Sequence, residues 1–257
     1  MFRPLAASAV SAALLLAAPL AAQTGAFSEP LGDTERAGLR AEIRAYLMEH
    51  PEVIFEAVAE YERRTMAQQA DMDATLVEIN ADEIFTDGHS WVGGNPEGDI
   101  TLVEFMDYRC GFCRRAFPQM MDFANDDGNV RLVLKELPIL GPQSEVMSRF
   151  AVAVLQLGDD AQYFAAHERL LEWEGDLPDS ALGAMAVELG LEAEAVLARM
   201  RSSEVSEVLA ANRALAQRLQ ISGTPSFVMG TPEGPAELLR GFLPAQELHG
   251  VASELRG

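Results

Sequence analysis

Cys110-Gly111-Phe112-Cys113 holds the only two cysteines of the chain; it directly follows an apolar run, Ile100 to Met106, and opens a helical pattern. The fold must therefore carry a strand–helix junction at this point. Unpaired backbone N–H groups and the positive end of a helix dipole favour a thiolate there, and the thiolate is the attacking species in disulfide exchange. Cys110 is expected to attack and Cys113, one turn inside the helix, to resolve. A zinc site needs about four ligands, and there is no second cysteine pair. A structural disulfide closing so small a loop adds little stability. A redox pair is the favoured reading over both.

The amino terminus carries one early positive charge at Arg3, an Ala/Leu/Val stretch from Leu5 to Ala18, and small residues up to Ala22. This is the plan of a signal peptide spanning residues 1–22, cut after Ala22. The apolar run is shorter than the ~20 residues of a spanning helix, and no cysteine lies at the cut for lipid attachment. The expectation is a protein of the periplasm, soluble after signal peptide removal, in an oxidising compartment that suits a reactive disulfide. With 40 acidic against 19 basic residues and a net charge of −21, nucleic acid and anionic membrane surfaces are disfavoured as partners.

Residues 23–80 read as a helical amino-terminal extension. Asp33 is a candidate N-cap, and Leu39, Ile43, Tyr46 and Leu47 form an apolar stripe. Pro51 breaks the helix after His50 and starts a second one. That helix spaces Ile54, Val58, Tyr61, Thr65, Gln68, Met72, Thr75 and Ile79 at alternating steps of four and three, the seam of a coiled coil with three polar members. Self-association is favoured over folding back on the rest of the chain.

Residues 81–257 read as the catalytic domain. Its predicted order is a strand at Ile100 to Met106, a helix from Cys110 to about Asn125, and a strand at Val130 to Leu137. A helical insert at about 144–220 follows, then two short strands, Ser226 to Met229 and Ala236 to Arg240, and a closing helix from Pro244. The intervening helix makes the first two strands parallel. Glu104 shares a strand face with Leu102 and Met106, pointing inward. Asp107, Tyr108 and Arg109 are expected at the rim of the site, and Arg109, Arg114 and Arg115 either beside the thiolate or on a solvated face. His50, His89, His167 and His249 show no ligand spacing, so no metal site is expected among them. The methionines and the two tryptophans, Trp91 and Trp173, fit core packing.

This order, with a Cys-x-x-Cys at the first strand–helix junction, resembles the thioredoxin fold, an α/β class. The helical insert makes it similar to the DsbA-like periplasmic thiol–disulfide oxidoreductases. Three segments carry the resemblance: Val103 to Cys113, Lys135 to Gly141, and Ile221 to Val228. With Pro51 to Ile54 they look most like the ScsC-type (suppressor of copper sensitivity) branch. The resemblance implies a cis bond before Pro225 and a backbone at Thr224 that meets a client strand. Thr224, Pro225, Gly111 and Phe112 are thus the expected substrate-binding residues, and Cys110, Cys113 and Glu104 the expected catalytic ones, with Glu104 taking the proton of Cys113. It also implies cysteine-containing client proteins and a membrane redox partner, no cofactor, and an amino-terminal stalk that forms a homo-oligomer, with a trimer favoured and disulfide isomerase activity. Strong oxidants of this family carry histidine where Phe112 stands. The expected potential therefore lies between about −120 and −270 mV. Two alternatives stay open: a monomeric dithiol oxidase of DsbA type and a copper- or zinc-binding thiol carrier.

Overall fold

The computed structural model describes residues 31–231 and 234–257. The leader read at residues 1–22 and most of the linker after it lie outside the described residues. The chain divides into two compact units, Met1–Tyr61 and Glu62–Gly257.

In the first unit, α1 spans Asp33–Glu49, and α2, Glu52–Ile79, begins after the Pro51 break. His50 leaves the helical region because the proline ring crowds the residue before it. The cap of α1 is Gly32 rather than Asp33. Glu35 reaches back to accept the Gly32 N–H at 2.9 Å, which moves the cap one residue earlier than the sequence reading placed it. No residue of α1 is buried. Leu39, Ile43, Tyr46, Met48, Ile54, Phe55, Val58 and Tyr61 are all exposed.

In the second unit, the last turns of α2 bury Asp73 and Val77, whereas Met72 and Ile79 on the expected seam are exposed. This part of the helix thus has two faces. One packs on the sheet domain, with the Asp73 carboxylate bonded by both terminal nitrogens of Arg240. The other carries the heptad positions. A short helix, α3 (Ala81–Phe85), follows, then β1 (Trp91–Gly94) and β2 (Ile100–Met106). Neither α3 nor β1 was expected from the sequence. The two glycines of β1 read as a turn, yet Gly94 has φ +67° and a Cβ there would lie 2.4 Å from the Val130 carbonyl oxygen, so close strand approach requires glycine.

The core of the unit is a β2–α4–β3 crossover, with α4 at Gly111–Asp127 and β3 at Val130–Glu136. The two strands are parallel, in register from Ile100 opposite Val130 to Met106 opposite Glu136. The insert comprises α5 (Pro142–Leu157), α6 (Asp160–Glu172), α7 (Asp179–Glu188), α8 (Ala193–Arg199) and α9 (Ser203–Arg218). β4 (Ser226–Gly230), β5 (Ala236–Arg240) and α10 (Ala245–Arg256) close the chain. The sheet order is β1-β3-β2-β4-β5, and every pairing except β2 with β3 is antiparallel. β2 is central and every residue of it is buried, which explains its near-continuous apolar run. One sheet face carries Leu102, Met106, Leu132 and Leu134 into a core with α4, α5, α6 and α10. The other carries Val103, Phe105 and Val133 onto Val77, Ile84, Leu215 and Leu219. No helix of the described residues is long and apolar enough to cross a membrane.

Candidate active site

Cys110 is the N-cap of α4, in extended conformation, at the point where β2 hands the chain to the helix. Its N–H bonds the Asp107 carbonyl at 3.0 Å, closing the turn that ends β2. Its thiol lies 3.1 Å from the carbonyl oxygen of Thr224, to which it donates. The Thr224–Pro225 bond is cis. Gly241 N–H bonds the Pro225 carbonyl at 3.0 Å, so the end of β5 holds this loop against the helix start. The expected neighbours from opposite ends of the domain therefore meet. Both cysteines are free thiols; Cys110 is 7% exposed and Cys113 1%, in the order expected for an attacking and a resolving thiol. A Cβ at Gly111 would meet nothing within 4 Å. Phe112, between the cysteines in sequence, is 54% exposed, and its ring lies under the Arg115 guanidinium at 4.4 Å.

Beneath them, Glu104 is 2% exposed and its Oε1 has no hydrogen-bond partner. Burial pushes its carboxyl up to about 8, reinforced by negative charge at Cys110 and Glu136. Burial also pushes the Cys113 thiol far up, and the Glu104 charge adds to it. Raising the carboxyl from the ordinary range brings Glu104 closer to the Cys113 thiol in proton affinity, as a proton acceptor for a buried thiol requires.

One expectation about the rim is corrected. Asp107 and Tyr108 are fully buried. Asp107 accepts the N–H groups of Arg109, Ile139 and Leu140, because the chain turns of two loops leave these donors without backbone partners. Arg109 is exposed, as a rim residue should be, and bonds the Gly175 carbonyl, while Arg114 bonds those of Tyr108 and Trp173, so both fasten the insert to the active-site loop.

The sequence reading gave no role to Glu136. It is buried, and accepts three hydroxyls: Tyr108 at 2.8 Å and Tyr163 at 2.7 Å on Oε1, and Ser148 at 2.7 Å on Oε2. His167 Nδ1 lies 3.0 Å from the Tyr108 hydroxyl. That hydroxyl spends its proton on Glu136, so His167 donates through Nδ1, and its Nε2 is left without a partner. Burial holds this imidazole neutral, down to about 3. Among the described residues, no group of three or more His, Cys, Asp or Glu side chains is arranged to hold a metal ion.

Comparison with known proteins gives a consistent picture. A family profile described as a DSBA-like thioredoxin domain matches residues 101–256. A second, the copper resistance protein ScsC N-terminal domain, matches residues 35–68. A thioredoxin-like oxidoreductase from Silicibacter pomeroyi DSS-3 is 38% identical, covering 69% of this chain and 98% of that one, with a TM-score of 0.61. BcfH of Salmonella enterica Typhimurium (23% identity, 87% and 97% covered, TM-score 0.71) and Proteus mirabilis ScsC in a transitional conformation (23%, 88% and 98%, TM-score 0.60) share the fold. Two curated relatives, Na(+)/H(+) antiporters NhaA 1 of Salinispora arenicola and NhaA 3 of Salinispora tropica, are 28% and 26% identical over 138 residues. The chain spans only 21% of the length of each.

Proposed function

Because the chain belongs to the DSBA-like thioredoxin domain family and is a thiol–disulfide oxidoreductase of DsbA/ScsC type, we propose that it exchanges disulfides with client proteins in the periplasm, with Cys110 as nucleophile, Cys113 as resolving thiol and Glu104 as proton acceptor. The observation that carries the reading is the stacking of the three groups: Cys110 against the Thr224 carbonyl, Cys113 inside the helix, and an unpartnered buried carboxyl below.

The Cys110 thiolate attacks a client disulfide. The client S–S bond breaks, one client sulfur leaves as thiolate, and Cys110 is held in a mixed disulfide. Cys113 then passes its proton to Glu104 and attacks Cys110 Sγ. The second client sulfur leaves as thiolate, so the client gains the two electrons that the new Cys110–Cys113 disulfide has lost. The reverse sequence oxidises a client dithiol. When another client thiolate attacks the mixed disulfide first, Cys110 is released unchanged and the client is isomerised. A membrane redox partner resets the pair in the first two modes. Thr224, Pro225, Gly111 and Phe112 form the surface on which a client strand lies.

The exposed apolar residues of the first unit, from Leu39 to Tyr61, support a homo-oligomer, and the family resemblance favours a trimer. Several Cys110 sites in one assembly suit isomerisation. The roles of the two thiols are tested by trapping. Cys113→Ala is expected to accumulate mixed disulfides with clients and Cys110→Ala to accumulate none; equal trapping by both refutes the assigned order.

A further inference from the structure

A second buried carboxylate stands beside the first. β2 and β3 run parallel with Glu104 opposite Leu134 and Met106 opposite Glu136. Glu104 and Glu136 therefore lie on one sheet face, a single diagonal step apart, at a separation of about 7 Å. The proton-transfer scheme uses only Glu104. Glu136 is held from three directions: by Tyr108 from the active-site loop, by Ser148 from α5 and by Tyr163 from α6. Three hydroxyl donors on one carboxyl fit the ionised, acceptor-only form.

We propose that Glu136 is a positioning residue for the exchange reaction, whose carboxylate charge, held by three hydroxyls, sets the pH at which Glu104 takes the proton of Cys113. The proposal rests on the reading of Glu104 as that acceptor.

The surroundings leave this charge little else to act on. Lys135, the next residue, departs from the opposite sheet face and ends on the Glu83 carbonyl, Asp87 and Ser90. His167 is neutral, and Asn212 bonds the Glu136 carbonyl rather than its side chain. A cavity of about 10 Å³ beside Glu136, lined also by His89, Trp91 and Tyr163, is at the lower limit for one water, so bulk solvent does not screen the carboxylate. Asp107 is the remaining charged neighbour, and it is of the same sign. Around Glu104 the titratable groups are Cys110, Cys113, Tyr163 and Glu136 itself. Burial pushes both carboxyls up, but three hydroxyl donors hold the charge of Glu136 while Glu104 Oε1 has no partner, so Glu136 is the first to ionise.

The test follows ring closure in the full chain carrying glutathione in mixed disulfide on Cys110. The rate of glutathione release is measured against pH, and the inflection reports the acceptor. Glu136→Gln keeps the shape and removes the charge; the inflection is expected to fall by about 1.7 pH units, the size set by like charges about 7 Å apart at an effective dielectric of about 20. Ser148→Ala weakens one hold on the carboxylate and is expected to lower the inflection by less; it carries the test if Glu136→Gln does not fold. Glu104→Gln is expected to abolish the inflection. An inflection that survives Glu104→Gln overturns the acceptor reading and the proposal with it. An inflection that Glu104→Gln removes but neither Glu136→Gln nor Ser148→Ala moves overturns the proposal alone, leaving Glu136 a structural tie between β3 and the insert.

Discussion

At the scale of single residues, the site is set by environment more than by residue type. Phe112 occupies the position next to Cys113 with an exposed ring and no proton to donate to sulfur. Phe112→His supplies an imidazole that stabilises the reduced thiolate, and the potential is expected to rise. A tenfold change in the glutathione equilibrium constant, about 30 mV, is the scale to look for; an unchanged or lower potential removes this account of tuning. Glu104 has a consequence for stability as well. The folded state keeps its proton to about pH 8, whereas the unfolded chain releases it near the ordinary 4.5. Between these values the unfolded state binds fewer protons, so this group lowers stability as pH rises. Urea melts are expected to show Glu104→Gln more stable than the parent at pH 8, on the order of 4 kcal/mol, with the difference vanishing toward pH 4.5. Glu104 was legible because a strand of period two fixes its phase with Leu102 and Met106. Glu136 was not: a Lys-Glu pair at the end of a strand reads as solvent-exposed. The side chains that satisfy it, Tyr108, Ser148 and Tyr163, come from three separate segments that only the tertiary fold assembles.

At the scale of elements, periodicity located the long helices and the four strong strands, and the parallel pairing of β2 and β3 followed from the crossover. Short elements escaped. β1 contains two glycines demanded by close packing, and α3 has only 5 residues, too few for a period. The role of α2 was half legible. The spacing of Ile54, Val58 and Tyr61 picked out a face that the structure leaves exposed, but the inward face at Asp73 and Val77 did not show, because an aspartate seldom marks a buried position. Burial pushes the Asp73 carboxyl up, and its bonds to Arg240 and Gln69 more than offset this, leaving it lowered. A lowered carboxylate contributes stability above its unfolded value of 3.8 and loses it as pH falls through that range. Arg240 is partly exposed, so its share is discounted for solvent. Asp73→Ala is expected to destabilise the catalytic unit by about 1–2 kcal/mol at neutral pH and by much less in acid. Equal losses at both pH values in denaturant titrations contradict the pairing as the source. The same contact shows where a truncation belongs: removing residues 23–61 leaves this face of α2 in place, whereas removing residues 23–79 strips Val77 from the core.

At the scale of the whole molecule, the account joins a thiol site to an assembly. The exposed apolar face of α1 and early α2 is the surface most in need of cover, and burial of such area contributes roughly 25 cal/mol per Å². The net charge of −21 opposes self-association at low ionic strength, so the oligomer is expected to tighten with salt. Refolding of a client with scrambled disulfides tests the central claim most directly, using the mature chain, its Cys110→Ala variant and a chain lacking residues 23–61. The account predicts that the mature chain restores client activity, that Cys110→Ala restores none, and that the truncated chain keeps dithiol exchange with glutathione while losing isomerisation. Equal refolding by Cys110→Ala, or full isomerisation by a truncated chain that light scattering finds monomeric, contradicts it.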